Sequence, residues 1–225
     1  MKEQRKDSSS KEVLRERIIK QALDDFAVHG IKSIRMDDIA NALKISKRTL
    51  YETFADKETL LRECILYHQA TSRETLKELV ANSTNVLEVI LKCYQASVEA
   101  YHRVNKAFFE DMKKYPKVYE LLRNNKEKDN DVAVNFLQQG VEQGLFRNDI
   151  NFAILHAMLS EQMESLMNSK LGQKYDFLEV YESIMFIYLR GISTEKGAKE
   201  LEEFIKEYRT EKSKQRNQEN QDNKS

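Results

Sequence analysis

Proline occurs once and glycine six times in 225 residues, so the chain has almost none of the punctuation that a sheet of short strands and tight turns requires. Tryptophan is absent. The two cysteines, Cys64 and Cys93, are too few for a disulfide framework and show no close metal-ligand spacing. A reducing cytoplasm suits such a chain. Net charge is missing as well: 37 basic and 37 acidic side chains cancel, so whole-chain charge points to no partner. Any attraction to nucleic acid must come from a local positive face. No run approaches the ~18 apolar residues of a membrane span, and the opening stretch MKEQRKDSSSKE lacks the apolar core of a secretory signal. The expectation is a cytoplasmic protein with no membrane partner.

What is present is a 40% hydrophobic content, enough for a core, in a background where Leu, Glu, Lys, Ala and Gln recur. These are strong helix formers, and the expected class is all-α: an N-terminal three-helix head followed by a larger helical bundle. Residues 1–10 and 211–225 are polar and nearly free of large apolar side chains, so both ends are expected to be disordered. The head is expected over residues 11–56 and a regulatory and dimerisation domain over 57–210, with 57–82 as a connecting helix.

In the head, Val13, Leu14, Ile18, Ala22, Phe26 and Ala27 form one helical stripe that ends at Gly30. Short helices are expected from Met36 to Leu43 and from Lys47 to Phe54, with Ser46 and Asp56 placed as N-caps. Longer helical segments follow over 57–82, 85–105, 106–114, 116–143, 151–171, 176–191 and 195–208. Pro116 suits a first helical turn, and Gly144 and Gly191 suit helix ends that need a left-handed residue.

The two short helices have the parts of a helix-turn-helix. Ile39, Ala40 and Leu43 give the first an inward face, Ile45 plugs the core from the turn, and Leu50 and Phe54 anchor the second from behind as an i,i+4 pair. The opposite face of that second helix carries Lys47, Arg48, Thr49, Tyr51, Glu52 and Thr53, a set rich in donors for phosphate oxygens and base edges. On this reading Asp37, Asp38 and Glu52 must face away or sit at helix starts, where carboxylates are favoured.

The stretch from Ile18 to Leu61 resembles the DNA-binding head of the TetR/AcrR family of transcriptional regulators. The resemblance rests on Ala22, Phe26 and Gly30, on Asp38-Ile39-Ala40, on Ser46 in the turn, and on Leu50-Tyr51 followed by Phe54, Lys57, Glu58 and Leu60. It implies that Lys47, Arg48, Thr49 and Thr53 face the major groove of double-stranded DNA and that Tyr51 and Lys57 hold phosphates. Arg35 departs from the family pattern, which commonly has Thr or Ser there as a cap. Arginine cannot cap in that way but can reach a phosphate itself. The turn Lys44-Ile45-Ser46 lacks the frequent glycine.

The resemblance further implies a homodimeric, ligand-responsive repressor acting on a two-fold operator, with the later helices forming the dimer and enclosing a small-molecule inducer. The dimer contact is assigned to the 151–171 and 176–191 helices, the second being apolar nearly all round, with Met158, Phe177, Tyr181, Ile184 and Tyr188 as the candidates. For the pocket they are Tyr94, Tyr101, His102, Phe108, Met112, Phe136 and Met163. GVEQGLFRNDIN, from Gly140 to Asn151, resembles a recurring family segment ahead of the dimerisation helices.

Two other classes compete. Glu99-Ala-Tyr-His102 has the Glu-x-x-His spacing of carboxylate-bridged metal bundles, but such a site takes a second copy, and neither His29, His68 nor His156 has a Glu three residues before it. No Gly-rich nucleophile elbow or phosphate loop is present. The chain is therefore expected not to be an enzyme and to need no cofactor or metal. An acidic-protein interaction module using the basic face is the third class, and it predicts binding indifferent to DNA sequence.

Overall fold

A computed structural model of the chain describes residues 2–124, 126–168 and 174–222. In order they form α1 (Lys2–His29), α2 (Met36–Ala42), α3 (Lys47–Thr53), α4 (Lys57–Ala81), α5 (Val86–Arg103), α6 (Lys106–Met112), α7 (Pro116–Asn124), α8 (Lys126–Glu142), α9 (Phe152–Asn168), α10 (Phe177–Ile192) and α11 (Glu195–Asp222). The class is all-α. Among the described residues the only extended pairing is one isolated antiparallel bridge between Phe146 and Ser193. No helix there is long and apolar enough to cross a membrane. The expected single span 116–143 is described as α7 and α8 on either side of residue 125, and the end of the expected 151–171 helix lies outside the described residues.

Both termini differ from expectation. α1 starts at Lys2, and α11 continues to Asp222, although disorder was expected over 1–10 and 211–225. The reason is local: runs of Glu, Lys, Gln and Arg lack large apolar groups but are good helix formers, so an existing helix propagates through them.

The chain divides into two compact units, Met1–Ala81 with Gln95–Lys126 and Asn82–Tyr94 with Glu127–Ser225. The expected boundary between residues 56 and 57 is not where they part. α4 contributes Leu60, Leu61, Cys64 and Ile65 to the same buried cluster as Ile18, Ile19, Ala22 and Phe26 of α1, and Phe108, Met112 and Val118 join it. A head ending at residue 56 would expose this face, at roughly 1.5–3 kcal/mol for each large apolar side chain. Burial also pushes the Cys64 thiol up to about 12, so it serves as a small hydrophobe and not as a nucleophile.

α6 clasps the end of α1. Gly30 turns the chain at φ 80°, and a Cβ there would meet the Ala107 methyl at 3.0 Å. The Asn105 N–H donates to the Ala27 carbonyl at 2.7 Å, and the Lys32 N–H donates to the Asp111 carboxylate at 2.7 Å. Burial disfavours the charged Asp111, but the hydrogen bonds from Lys114 and the Lys32 N–H outweigh it and hold its pKa below the ordinary 3.8. A depressed carboxylate stabilises the fold above its unfolded pKa and loses that contribution as pH falls through the folded one. Asp111→Asn is accordingly expected to lower the melting temperature at pH 7 and to flatten its decline below pH 4, as read by thermal unfolding between pH 3 and 7.

In the second unit, α8 ends in a Schellman turn: the Gly144 N–H donates to the Val141 carbonyl and the Leu145 N–H to that of Gly140, with Gly144 at φ 73°. The segment then runs beside the start of α11, where the Arg147 N–H donates to the Ile192 carbonyl and the Thr194 N–H to that of Leu145. Gly191 is not a helix end, contrary to expectation. α10 continues through it and stops at Ser193, whose extended backbone breaks the helix while its N–H still donates to the Leu189 carbonyl.

Candidate nucleic-acid interface

The turn between α2 and α3 is built by backbone chemistry that the composition conceals. Lys44 adopts φ 56°, the left-handed conformation usually given to glycine. This lets the Lys44 N–H donate to the Asn41 carbonyl and the Ile45 N–H to that of Ala40, a Schellman closure made without glycine. Ser46 then caps α3 by accepting from the Thr49 N–H at 3.1 Å. Asp56 caps α4 by accepting from the Thr59 N–H at 2.7 Å. At the start of α2 the Asp38 carboxylate accepts from the Arg35 N–H at 2.7 Å. This is half of a capping box, because the guanidinium of Arg35 has no acceptor to complete it.

α3 has two faces of opposite character. Leu50 and Phe54 are buried against Ile39, Ala40 and the α1 residues. Lys47, Arg48, Tyr51 and Glu52 are exposed, and Thr49 and Thr53 are half-buried. The two threonines are partly engaged within the helix: the Thr49 hydroxyl shares a hydrogen bond with the Ser46 hydroxyl at 2.8 Å, and the Thr53 hydroxyl donates to the Thr49 carbonyl at 2.8 Å. Lys47 pairs with Asp37 of α2, which raises its pKa above the ordinary lysine value. Arg48 pairs with Glu52, Nε to Oε1, at 2.8 Å.

Two sequence expectations are altered here. Glu52 does not face away; it lies one turn from Arg48 on the same exposed side, a placement that the i,i+4 spacing already contained. Lys57, expected at a phosphate, is turned inward: its ammonium donates to the carbonyls of Ile31 and Ile34 and lies over the Phe26 ring at 5.6 Å. Burial pulls its pKa below the usual lysine value. The residue ties the α1–α2 loop to the start of α4. Lys57→Met is expected to lower the melting temperature and to weaken DNA binding equally at every salt concentration. Loss of a phosphate contact would instead reduce the slope of log affinity against log salt by about one.

Sequence reading missed the ties that set α3 in place. Arg15 of α1 pairs with Glu63 of α4, its guanidinium 5.4 Å from the Phe54 ring at the end of α3.

The seven pocket candidates are divided between the two units. Phe108 and Met112 are in the core of the first unit, where Tyr101 stacks on Phe109 at 6.0 Å and His102 is exposed. Tyr94 is buried in the second unit among Tyr181, Phe186 and Tyr208, with ring centroids 5.2–5.5 Å away. Phe136 and Met163 are half-buried. Tyr94, Phe108 and Met112 serve as ordinary packing within their own units.

Of the dimer candidates, Tyr181 packs on Tyr94 and stacks on Phe177 within the unit. Met158 is exposed, and Ile184 and Tyr188 are half-buried. Ile154 and Ile187, on the two helices expected at the contact, are exposed, Ile187 at 67%. Glu99 and His102 are both exposed, Glu99 pairs with Arg103, and no group of metal-ligating side chains forms among the described residues.

A short helix capped at its start, braced from behind by a second helix and presenting cations and an exposed tyrosine outward is a helix-turn-helix, and the protein is a DNA-binding transcriptional regulator. Residues 18–64 match the family model described as bacterial regulatory proteins, tetR family. Over those residues the chain is similar to that family. It is 25% identical over 177 residues to the HTH-type transcriptional repressor KstR2 of Mycobacterium tuberculosis, covering 76% of this chain and 88% of the repressor. Its fold is shared by a transcriptional regulator from Cytophaga hutchinsonii, at 21% identity and a TM-score of 0.66 over 80% of this chain and 98% of that one. A transcriptional regulator from Saccharomonospora viridis, solved in complex with choline, is 18% identical with a TM-score of 0.64 over 81% and 99%. The metal-enzyme and acidic-protein alternatives are not favoured, and the protein is not an enzyme.

Proposed function

We propose that the protein is a cytoplasmic, ligand-responsive repressor that binds a two-fold operator as a homodimer, with α3 in the major groove. The observation that carries this reading is the division of α3 into a buried Leu50–Phe54 back and an exposed front. Arg48 makes the base contact, Lys47, Thr49 and Thr53 support it, and Tyr51 and Arg35 hold phosphates from either side. Repression is supported by the name of the KstR2 relative, and response to a small molecule by the choline-bound neighbour.

Dimerisation is supported by apolar side chains left uncovered on α9 and α10, Ile154, Met158 and Ile187, with Ile184 and Tyr188 half-covered. A single seven-residue reading helix also gains most of its affinity and specificity from a second copy on the next half-site. Sedimentation at micromolar concentration is expected to give the mass of two chains for the native protein and of one chain for Ile187→Glu. That substitution leaves the monomer fold intact because the side chain is already exposed. A native mass of one chain would remove the dimer.

A further inference from the structure

The reading helix carries an anion for which general attraction to DNA has no use. Between Lys32 and Asp56 five cations stand against four anions, so the head is nearly neutral and draws little on phosphate charge alone. Two of those cations are covered from within the protein, Lys47 by Asp37 and Arg48 by Glu52. Asp37 belongs to the first turn of α2, where a carboxylate is favoured by the helix end. Glu52 has no such reason to be there. It lies in the second half of α3, its side chain 62% exposed, beside an Arg48 side chain 87% exposed.

A carboxylate carried into the major groove stands between two walls of phosphate and is repelled unless it finds a donor. Arg48 can supply one only while it stays folded back on Glu52, and an exposed i,i+4 pair is weak enough to open. Once Arg48 turns to guanine O6 and N7, Glu52 needs a partner among the base edges. The donors there are the amino groups at N4 of cytosine and N6 of adenine, and a carboxylate suits the cytosine amino group. We propose that Glu52 is a specificity-determining residue: it accepts from a cytosine N4 amino group next to the base read by Arg48 and penalises sites that offer no amino donor at that position. This rests on the reading of α3 as the groove helix.

The test is selection from a pool of random-sequence DNA duplexes with the full-length native protein, Glu52→Gln and Glu52→Ala, each checked for an unchanged melting temperature. The native protein is expected to enrich a cytosine at one position of each half-site. Glu52→Gln keeps the length but removes the charge and gains an N–H donor, so its preference there should move to adenine, which glutamine contacts through N6 and N7. Glu52→Ala should show no preference at that position and bind unselected duplex several-fold more tightly, since one repelled charge is gone. Base preferences identical in all three proteins would overturn the inference while leaving the groove helix in place. If the native protein enriches no sequence at all, the groove reading fails and the role of Glu52 fails with it.

Discussion

Leu50→Ala is expected to abolish DNA binding without touching any group that faces DNA. Leu50 is fully buried in the cluster that joins α3 to α1, α2 and α4. Truncating such a side chain costs about 2–5 kcal/mol, and a small domain has only about 5–15 to lose. α3 is seven residues long, too short to persist as a helix unless it is packed. The expected result is a melting temperature lower by several degrees, near-native helical circular dichroism at low temperature, and loss of operator affinity well before global unfolding. An affinity that falls only in proportion to the unfolded fraction would show that α3 unfolds with the rest of the head, as one cooperative unit.

Arg48→Ala is the second large effect, and it acts by a different route. The residue is exposed and, among the described residues, its side chain pairs with Glu52 in a weak surface ion pair, so stability should not change measurably. A guanidinium contacting guanine through two hydrogen bonds contributes about 1–3 kcal/mol of discrimination, so affinity for the preferred site should fall roughly ten- to a hundredfold. Affinity for unselected duplex should fall far less. Equal loss on both duplexes would make Arg48 a phosphate contact, and parallel titrations of the two distinguish the cases.

The head was legible because its frame repeats at helical spacing. Ile18, Ala22 and Phe26, then Ile39 and Ala40, then Leu50 and Phe54, all expected inward, are all buried. Ser46 and Asp56 cap the helices they precede. What was hidden depends on neighbours distant in sequence. Lys57 looks like a surface cation until the carbonyls of Ile31 and Ile34 are brought to it, and Lys44 looks like an ordinary turn residue until its φ is known. The joint at residues 56 and 57 was misplaced because a polar cap marks where a helix begins, and says nothing about which core the helix then fills.

The later helices were legible as helices and little more. Their large apolar residues recur at the same spacing whether they pack a core, as Phe108 and Tyr94 do, or remain uncovered, as Ile154 and Ile187 do. Periodicity separates inside from outside on one helix but cannot name what covers the outside.

The most direct test of the central claim is to titrate the native protein with its selected duplex and with a scrambled duplex of the same length, near physiological salt. Reading by α3 predicts binding to the selected duplex at least about a thousandfold tighter, with the difference cut roughly ten- to a hundredfold in Arg48→Ala. Equal affinity for the two duplexes, falling together as salt rises, would contradict it.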